Sequence, residues 1–435
     1  MRILVVACGT RGDFQPMLAL ATALRRARHE VLLAATPTFA SEATALGLPF
    51  APVGVDFQQL LQRHRSELNH RNPLNAVGLM NRLMPECFLA EWETLLPLVQ
   101  GRDLVVAAGA ALTARSIAEA AHLPFRYVAY TPQILPSAWH PPMMIPLTRT
   151  PRWFNRLGWR GFRALSNRVL LPTLNERRHS QGLPPVPCAI RHVFPAEPGV
   201  SLLAADPELA PTPPDLPVPQ LGAFHLADSR PLPAEVERFL DEGEPPVYIG
   251  FGSMTDADPE RTSQTLAEAA RRVGCRALLS SGWAGLGAEN LGSHVHVVGP
   301  LSHWQLFPRL AGIVHHGGAG TTAASTRAGV PQVVVPHLLD QFMMAHYVRT
   351  AGIGTSLSRG KLGVERLASA LARILQDATL RARAAHVGEQ VRARDPLAAA
   401  VALLEQAAGA AQPSGVNVTS SVNSRDITRS RSSTS

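Results

Sequence analysis

Lysine is almost absent from this chain. Of 41 basic residues among 435, only Lys361 is a lysine, and the remainder are arginine. Against 33 acidic residues this leaves a formal charge of +8, a balance that invites nucleic acid or an anionic surface as partner. Scattered arginine, however, follows from genome base composition as readily as from a ligand. Cysteine is scarce as well. Cys8, Cys87, Cys188 and Cys275 stand far apart with no CxxC pair, which argues against a zinc site and a disulfide framework and for a reducing compartment. Long apolar runs are missing, since nothing approaches the roughly 20 residues of a membrane span. The opening run, residues 3–7, stops at Cys8 and Gly9, too short for the apolar region of a signal peptide. A soluble, cytoplasmic protein is expected. Hydrophobic residues still make up 46% of the chain and charged ones only 17%. That composition can fill cores along most of the length, and the length fits two or three domains at roughly 150 residues each.

The pattern predicts an α/β fold. Residues 3–7 (ILVVA) form an unbroken apolar run, as in a parallel strand buried on both faces. Residues 8–13 (CGTRGD) make a turn, Pro16 starts an amphipathic helix to about Arg28, and residues 31–35 are the next strand. Similar units follow at 103–108, 113–121 and 125–130. Prolines become dense over 205–233, as in a stiff connector. Beyond it a second series is expected: strands at 247–251, 276–280, 295–298, 312–315 and 332–336, a helix at 259–273, and helical pattern over 364–410. The expected organisation is two Rossmann-like doubly wound domains, 1–215 and 216–410, facing each other across a cleft. The Ser/Thr/Asn/Arg-rich tail 411–435 is expected to be disordered.

Residues 313–322 (IVHHGGAGTT) close a strand and open a helix. Glycine lets backbone N–H groups approach an anion, and the helix start favours negative charge. Without a lysine after the glycines this is not a P-loop. A capped helix after a tight turn is the plainer alternative. Downstream, Asp340 and Gln341 follow the next strand, a pairing suited to sugar hydroxyls, although Asp340 also suits a helix N-cap. Asp13 lies at the rim of the expected cleft, as a general base or an ordinary cap. Asp256 and Asp258 match the DxD pattern of metal-dependent transferases, yet Asp258 precedes Pro259-Glu260 as an N-cap would. His315 and His316 are strand neighbours on opposite faces and do not chelate one ion.

Further segments carry more. Residues 306–308 (LFP), 314–322 (VHHGGAGTT), 327–332 (RAGVPQ) and Asp340-Gln341 together resemble the family 1 glycosyltransferases of two-domain GT-B fold. Residues 246–253 (PVYIGFGS) and 279–283 (LSSGW) are most similar to sterol 3-beta-glucosyltransferases. Residues 9–13 (GTRGD), 135–142 (LPSAWHPP), 175–178 (NERR) and 203–207 (LAADP) are most similar to the glucosyltransferases that decorate glycopeptide antibiotics. The resemblance runs from Met1 to about Ala410. It implies inverting, metal-free hexose transfer from a nucleotide diphosphate sugar, a co-substrate rather than a cofactor. By the same resemblance Asp13 is the general base. Ser253, His316, Gly318, Gly320, Thr321 and Thr322 cradle the diphosphate, and Asp340 and Gln341 hold the donor sugar. The nucleobase is assigned to Trp283, Val298 and His303. Where plant relatives place a ribose-binding glutamate this chain has Ala324, which leaves UDP- and dTDP-hexose both open.

The acceptor implied is a hydrophobic small molecule received by the loop carrying Trp139, His140, Met143 and Met144. Residues 149–168 interleave arginines at helical spacing with Trp153, Phe154, Leu157, Trp159 and Phe162. Such a helix either walls the acceptor pocket with solvated arginines or lies weakly on an anionic membrane, the latter suiting a sterol or lipid acceptor. No nucleic-acid module accompanies the arginines, so nucleic acid is not an expected partner. A UDP-GlcNAc 2-epimerase and a non-catalytic activator subunit are the competing functions. The loops expected to bind an aglycone weigh against the first. Joint retention of Asp13, His316 and Asp340-Gln341 weighs against the second.

Overall fold

The computed structural model describes residues 1–409 except 57–58, 61–62, 65–72, 229 and 253. The predicted tail and Ser253 therefore lie outside the described residues. The first sheet contains β1 (Arg2–Cys8), β2 (Glu30–Ala35), β3 (Phe50–Pro52), β4 (Leu104–Gly109), β5 (Phe125–Ala129) and β6 (Ser201–Leu203). The second contains β7 (Val247–Gly250), β8 (Ala277–Ser280), β9 (Val295–Val298), β10 (Gly312–His315), β11 (Gln332–Val334) and β12 (Gly354–Ser356). Every pairing is parallel, in the orders β3-β2-β1-β4-β5-β6 and β12-β11-β10-β7-β8-β9.

Alternation along β1 shows why its sequence is apolar throughout. Ile3, Val5 and Ala7 pack with Met17, Leu20 and Leu24 on one face. Leu4, Val6 and Cys8 pack with Phe88, Trp92 and Tyr127 on the other. In each sheet the chain winds outward in one direction, then returns to the centre and winds in the other. The strand order therefore reverses between β1 and β4 and again between β7 and β10. Open α/β sheets bind ligands outside the carboxyl ends of strands at such switch points. Both glycine motifs sit there.

One expectation changes and two are refined. The first helix runs Arg11–Arg26 and so begins five residues before Pro16. Asp13 is thus in the first helical turn, where its carboxylate reaches back to Thr10 N–H and lets the helix start early. The helical stretch 364–410 is three helices, Val364–Gln376, Ala378–Arg392 and Pro396–Gly409. Asp377 caps the second through Leu380 N at 3.0 Å, and Pro396 starts the third. That last helix packs back on the first sheet, where Ala400 and Leu404 join the cluster of Ile3 and Leu20. The stiff proline-rich connector is also packed. Leu209, Ala210, Leu216 and Val218 are buried in the first sheet's other cluster. Strands β3, β6 and β12, three residues each, carry too short an apolar run to be read from sequence. Among the described residues no helix is long and apolar enough to cross a membrane.

Candidate active site

The carboxylate of Asp13 occupies a niche that only glycine leaves open. Gly9, just past β1, has φ +139°, and a Cβ there would stand 2.2 Å from Asp13 Oδ2. Gly109, closing β4, has φ +64°, and its Cβ would stand 2.7 Å from Asp13 Oδ1 and 2.6 Å from the Cys8 carbonyl. Both positions demand a conformation that side chains resist, and both demand the missing Cβ. Asp13 Oδ2 accepts from Thr10 N at 2.8 Å and Thr10 Oγ1 at 3.3 Å. Tyr130 donates its hydroxyl to the Asp13 carbonyl at 2.7 Å. Burial pushes the Asp13 carboxyl up to about 6, against the lowering effect of the Thr10 hydrogen bonds. The side chain that caps the helix thus also stays half-buried in that niche.

At the second switch point the two histidines diverge. His315 is buried in β10, where its Nδ1 accepts from Gly317 N–H at 3.1 Å and its Nε2 pairs with Gln332 Oε1 at 2.9 Å. Gln332 in turn donates to Thr326 Oγ1 at 3.0 Å, so this histidine fastens the loop to the next strand and helix. His316 is buried between two glycines. A Cβ on Gly252 would stand 2.8 Å from its Cε1, and one on Gly318 2.5 Å from its Nε2. Its Nδ1 has no hydrogen-bond partner among the described residues. Burial, reinforced by His315, His337 and His303, lowers its pKa to about 3, so the ring is neutral at pH 7.

Gly318 is the N-cap of the Ala319–Ala328 helix, whose first-turn N–H groups have no intrahelical acceptor. Space around Gly320 is open. Thr322 turns its hydroxyl inward, donating to Gly318 O at 2.9 Å, while the Thr321 side chain stays half-buried at the helix start. Residues of both halves, among them Pro16, Tyr130, His225, Gly320, Ala323 and Met344, line a narrow gap that opens to solvent.

Asp340 stands at the N-cap of the Gln341–Thr350 helix without a side-chain capping bond. Its carboxyl is therefore not spent on the helix. Burial, then the charge of Asp13, raises it to about 7. Gln341 is used differently. Its Oε1 accepts from His337 N at 2.8 Å and Leu338 N at 3.1 Å, and its Nε2 lies 3.4 Å from Met254 Sδ. The amide fastens the loop that carries Asp340.

Trp283 donates its backbone N–H to Gly252 O at 2.9 Å, and Ser281 N donates to Val298 O at 3.0 Å. The loops after β7, β8 and β9 are thereby stitched together. His303 stacks on Phe307 at 4.2 Å, and burial pushes its pKa down to about 3. Next to it, the Arg327 guanidinium lies 3.9 Å over the Trp304 ring, a pairing that sequence spacing did not reveal. In the 139–144 loop, Trp139 is half exposed beneath the Arg152 guanidinium at 3.8 Å, and Met144 is exposed. Met143 is half-buried. His140 points inward, edge-on to Trp159, whose Nε1 donates to His140 O at 3.0 Å. Asp258 caps its helix through Arg261 N at 3.1 Å, and Asp256 pairs with Arg359. The DxD pair thus serves a cap and an ion pair.

Two doubly wound sheets with opposed switch points, one bearing a niche carboxylate and the other a glycine-rich helix start, define the GT-B class of enzyme. The glycosyltransferase VinC, in a structure described as a complex with dTDP, shares the fold at a TM-score of 0.68 with 23% identity, over 94% of this chain and 100% of that one. Residues 3–139 match the glycosyltransferase family 28 N-terminal domain. Residues 283–406 match the C-terminal domain of erythromycin biosynthesis protein CIII-like proteins. The vancomycin aglycone glucosyltransferase of Amycolatopsis orientalis is 35% identical over 93% of this chain and 97% of its own length. A sterol 3-beta-glucosyltransferase of Arabidopsis thaliana is 29% identical over 92% of this chain and 67% of its own. The chain belongs to the glycosyltransferase family of the vancomycin aglycone glucosyltransferase.

Proposed function

We propose that the protein transfers a hexose from UDP- or dTDP-hexose to a hydroxyl of a hydrophobic natural-product aglycone, with inversion and without a metal ion. One observation carries the proposal. Asp13 from the first sheet and Asp340 from the second are close enough for the charge of one to raise the pKa of the other. A base and a donor-sugar contact are thus opposed across the cleft.

The chemistry follows from the residues. With its carboxyl at about 6, Asp13 is mostly ionised at pH 7 yet more basic than a solvated aspartate. It takes the acceptor's hydroxyl proton as that oxygen attacks the anomeric carbon. The bond from that carbon to the β-phosphate oxygen breaks from the opposite side, which inverts the configuration. Charge building on the leaving diphosphate meets the first-turn N–H groups of the Ala319–Ala328 helix and the neutral, donating ring of His316. Thr321 is the hydroxyl that supports this cradle, since Thr322 is engaged within its helix. Gln341 acts by positioning Asp340. The wall of half-exposed Trp139, Met143 and Met144 supports an apolar acceptor.

The experiment is a panel of UDP- and dTDP-hexoses against mixed aglycones, read by mass. A hexose mass added to an aglycone is expected. Conversion of UDP-GlcNAc to its epimer with no acceptor present would instead identify an epimerase.

A further inference from the structure

Apolar side chains are not exposed evenly over this molecule. Of ten large hydrophobic residues exposed among the described ones, six fall within residues 139–165: Trp139, Met144, Leu147, Trp153, Leu157 and Leu165. The first three belong to one loop and the last three to the Arg152–Ser180 helix. Trp153 is 66% and Leu157 57% exposed, the two highest values of the set. They lie one turn apart on one helix face. The opposite face is well packed, with Asn155, Trp159 and Ser166 buried. The helix therefore does not need its outer residues to fold.

Charge follows the same surface. Arg149, Arg152, Arg156, Arg160, Arg163 and Arg168 are all exposed. No acidic residue occurs between positions 141 and 175. Among the described residues, no carboxylate forms an ion pair with any of the six, although arginines elsewhere pair freely, as Arg2 does with Asp103 and Arg115 with Glu119. On the helix, Arg152, Arg156, Arg160 and Arg163 recur at intervals of three and four and flank the Trp153–Leu157 stripe. The Arg152 guanidinium covers the Trp139 ring at 3.8 Å and joins loop and helix into one surface.

We infer that this face docks on a phospholipid bilayer bearing anionic headgroups, with Trp153 and Leu157 entering the headgroup boundary and the arginines engaging phosphates. An aromatic and aliphatic stripe bordered by cations that form no ion pair with a carboxylate among the described residues matches that surface in both its apolar and its charged layer. An acidic protein would satisfy the arginines but leave Trp153 and Leu157 unexplained. A second copy would bring six like charges against six. The face borders the proposed acceptor wall at Trp139 and Met144, so the variants that test it are confined to the helix.

Co-sedimentation of the full chain with vesicles tests it. Binding to phosphatidylglycerol–phosphatidylcholine vesicles is expected, with none to phosphatidylcholine alone and release at about 0.5 M salt. Two double variants, Arg156→Glu with Arg160→Glu and Trp153→Ser with Leu157→Ser, should each lower partitioning by about ten-fold or more. Neither should alter turnover of a water-soluble acceptor, which also reports that they fold. Absence of lipid-dependent binding in the wild-type protein overturns the inference. So does binding that both variants retain, since the membrane contact would then lie elsewhere. Self-association lost on Trp153→Ser with Leu157→Ser, without vesicle binding, would make the face a contact between copies instead.

Discussion

Asp340 titrates near 7 because it is buried and because Asp13 faces it from the other sheet. These two carboxyls lie 327 positions apart in sequence, one following β1 and the other following β11. The charge of Asp13 adds to burial in holding the Asp340 carboxyl above the usual carboxylate range. The site thus holds negative charge reluctantly.

Replacing Asp13 by Asn should lower transfer by about 10²–10⁴-fold. Binding of UDP or dTDP, followed by calorimetry, should stay within about two-fold of wild type, because the proposed diphosphate cradle lies on the other sheet. In the wild-type enzyme kcat/KM should rise with pH through about 6, as Asp13 loses its proton. Turnover at a wild-type rate in the variant would remove Asp13 as the base.

Gly109→Ala should damage the reaction through geometry. The new Cβ would press on Asp13 Oδ1 and the Cys8 carbonyl from a left-handed residue. A loss of at least about ten-fold in kcat is expected, with donor binding kept and stability lower by about 1–3 kcal/mol. Gly182→Ala is the matched control, left-handed at φ +72° with no atom within 4 Å of its Cβ. It should cost only about 1 kcal/mol and leave kcat unchanged.

Asp340→Asn should make the protein more stable at pH 8 and leave it unchanged near pH 4. The folded carboxyl titrates at about 7 against an ordinary 3.8. Its contribution to stability is therefore full below about 4 and is lost as pH rises through 7. The amide removes that loss, and no capping bond disappears with it. A gain of roughly 1–3 kcal/mol at pH 8 is expected by denaturant unfolding, together with reduced transfer. A Tm difference independent of pH would refute the assignment.

Asp256→Asn should weaken the fold and spare the chemistry. The buried carboxylate pairs with Arg359, and removing its charge should cost about 1–3 kcal/mol. Activity of wild type and variant alike should be unaffected by excess EDTA. Dependence on added magnesium would restore the metal-ligand role for Asp256 and Asp258.

The sequence by itself determined the central strands of both sheets and the glycine turns that follow them. β1 and β4 are buried on both faces, so their residues must be apolar in succession, and such runs are legible locally. The glycine turns after β1 and β10 are legible for the same reason, because tight turns limit residue choice. Only the tertiary structure decided which polar groups remain free. Thr321 and Thr322 look alike in sequence, yet Thr322 bonds Gly318 O within its own helix. Asp340 and Gln341 look like a pair, yet only the aspartate is uncommitted, because Gln341 meets the folded-back loop at His337. Gly109 gave no signal at all, since its need for a missing Cβ arises from Asp13, 96 positions earlier. Likewise the Pro396–Gly409 helix reads as one more turn of the second half but covers the first sheet. Burial pattern is a property of neighbours along the chain, whereas a free carboxylate or an open niche depends on what distant segments bring to it.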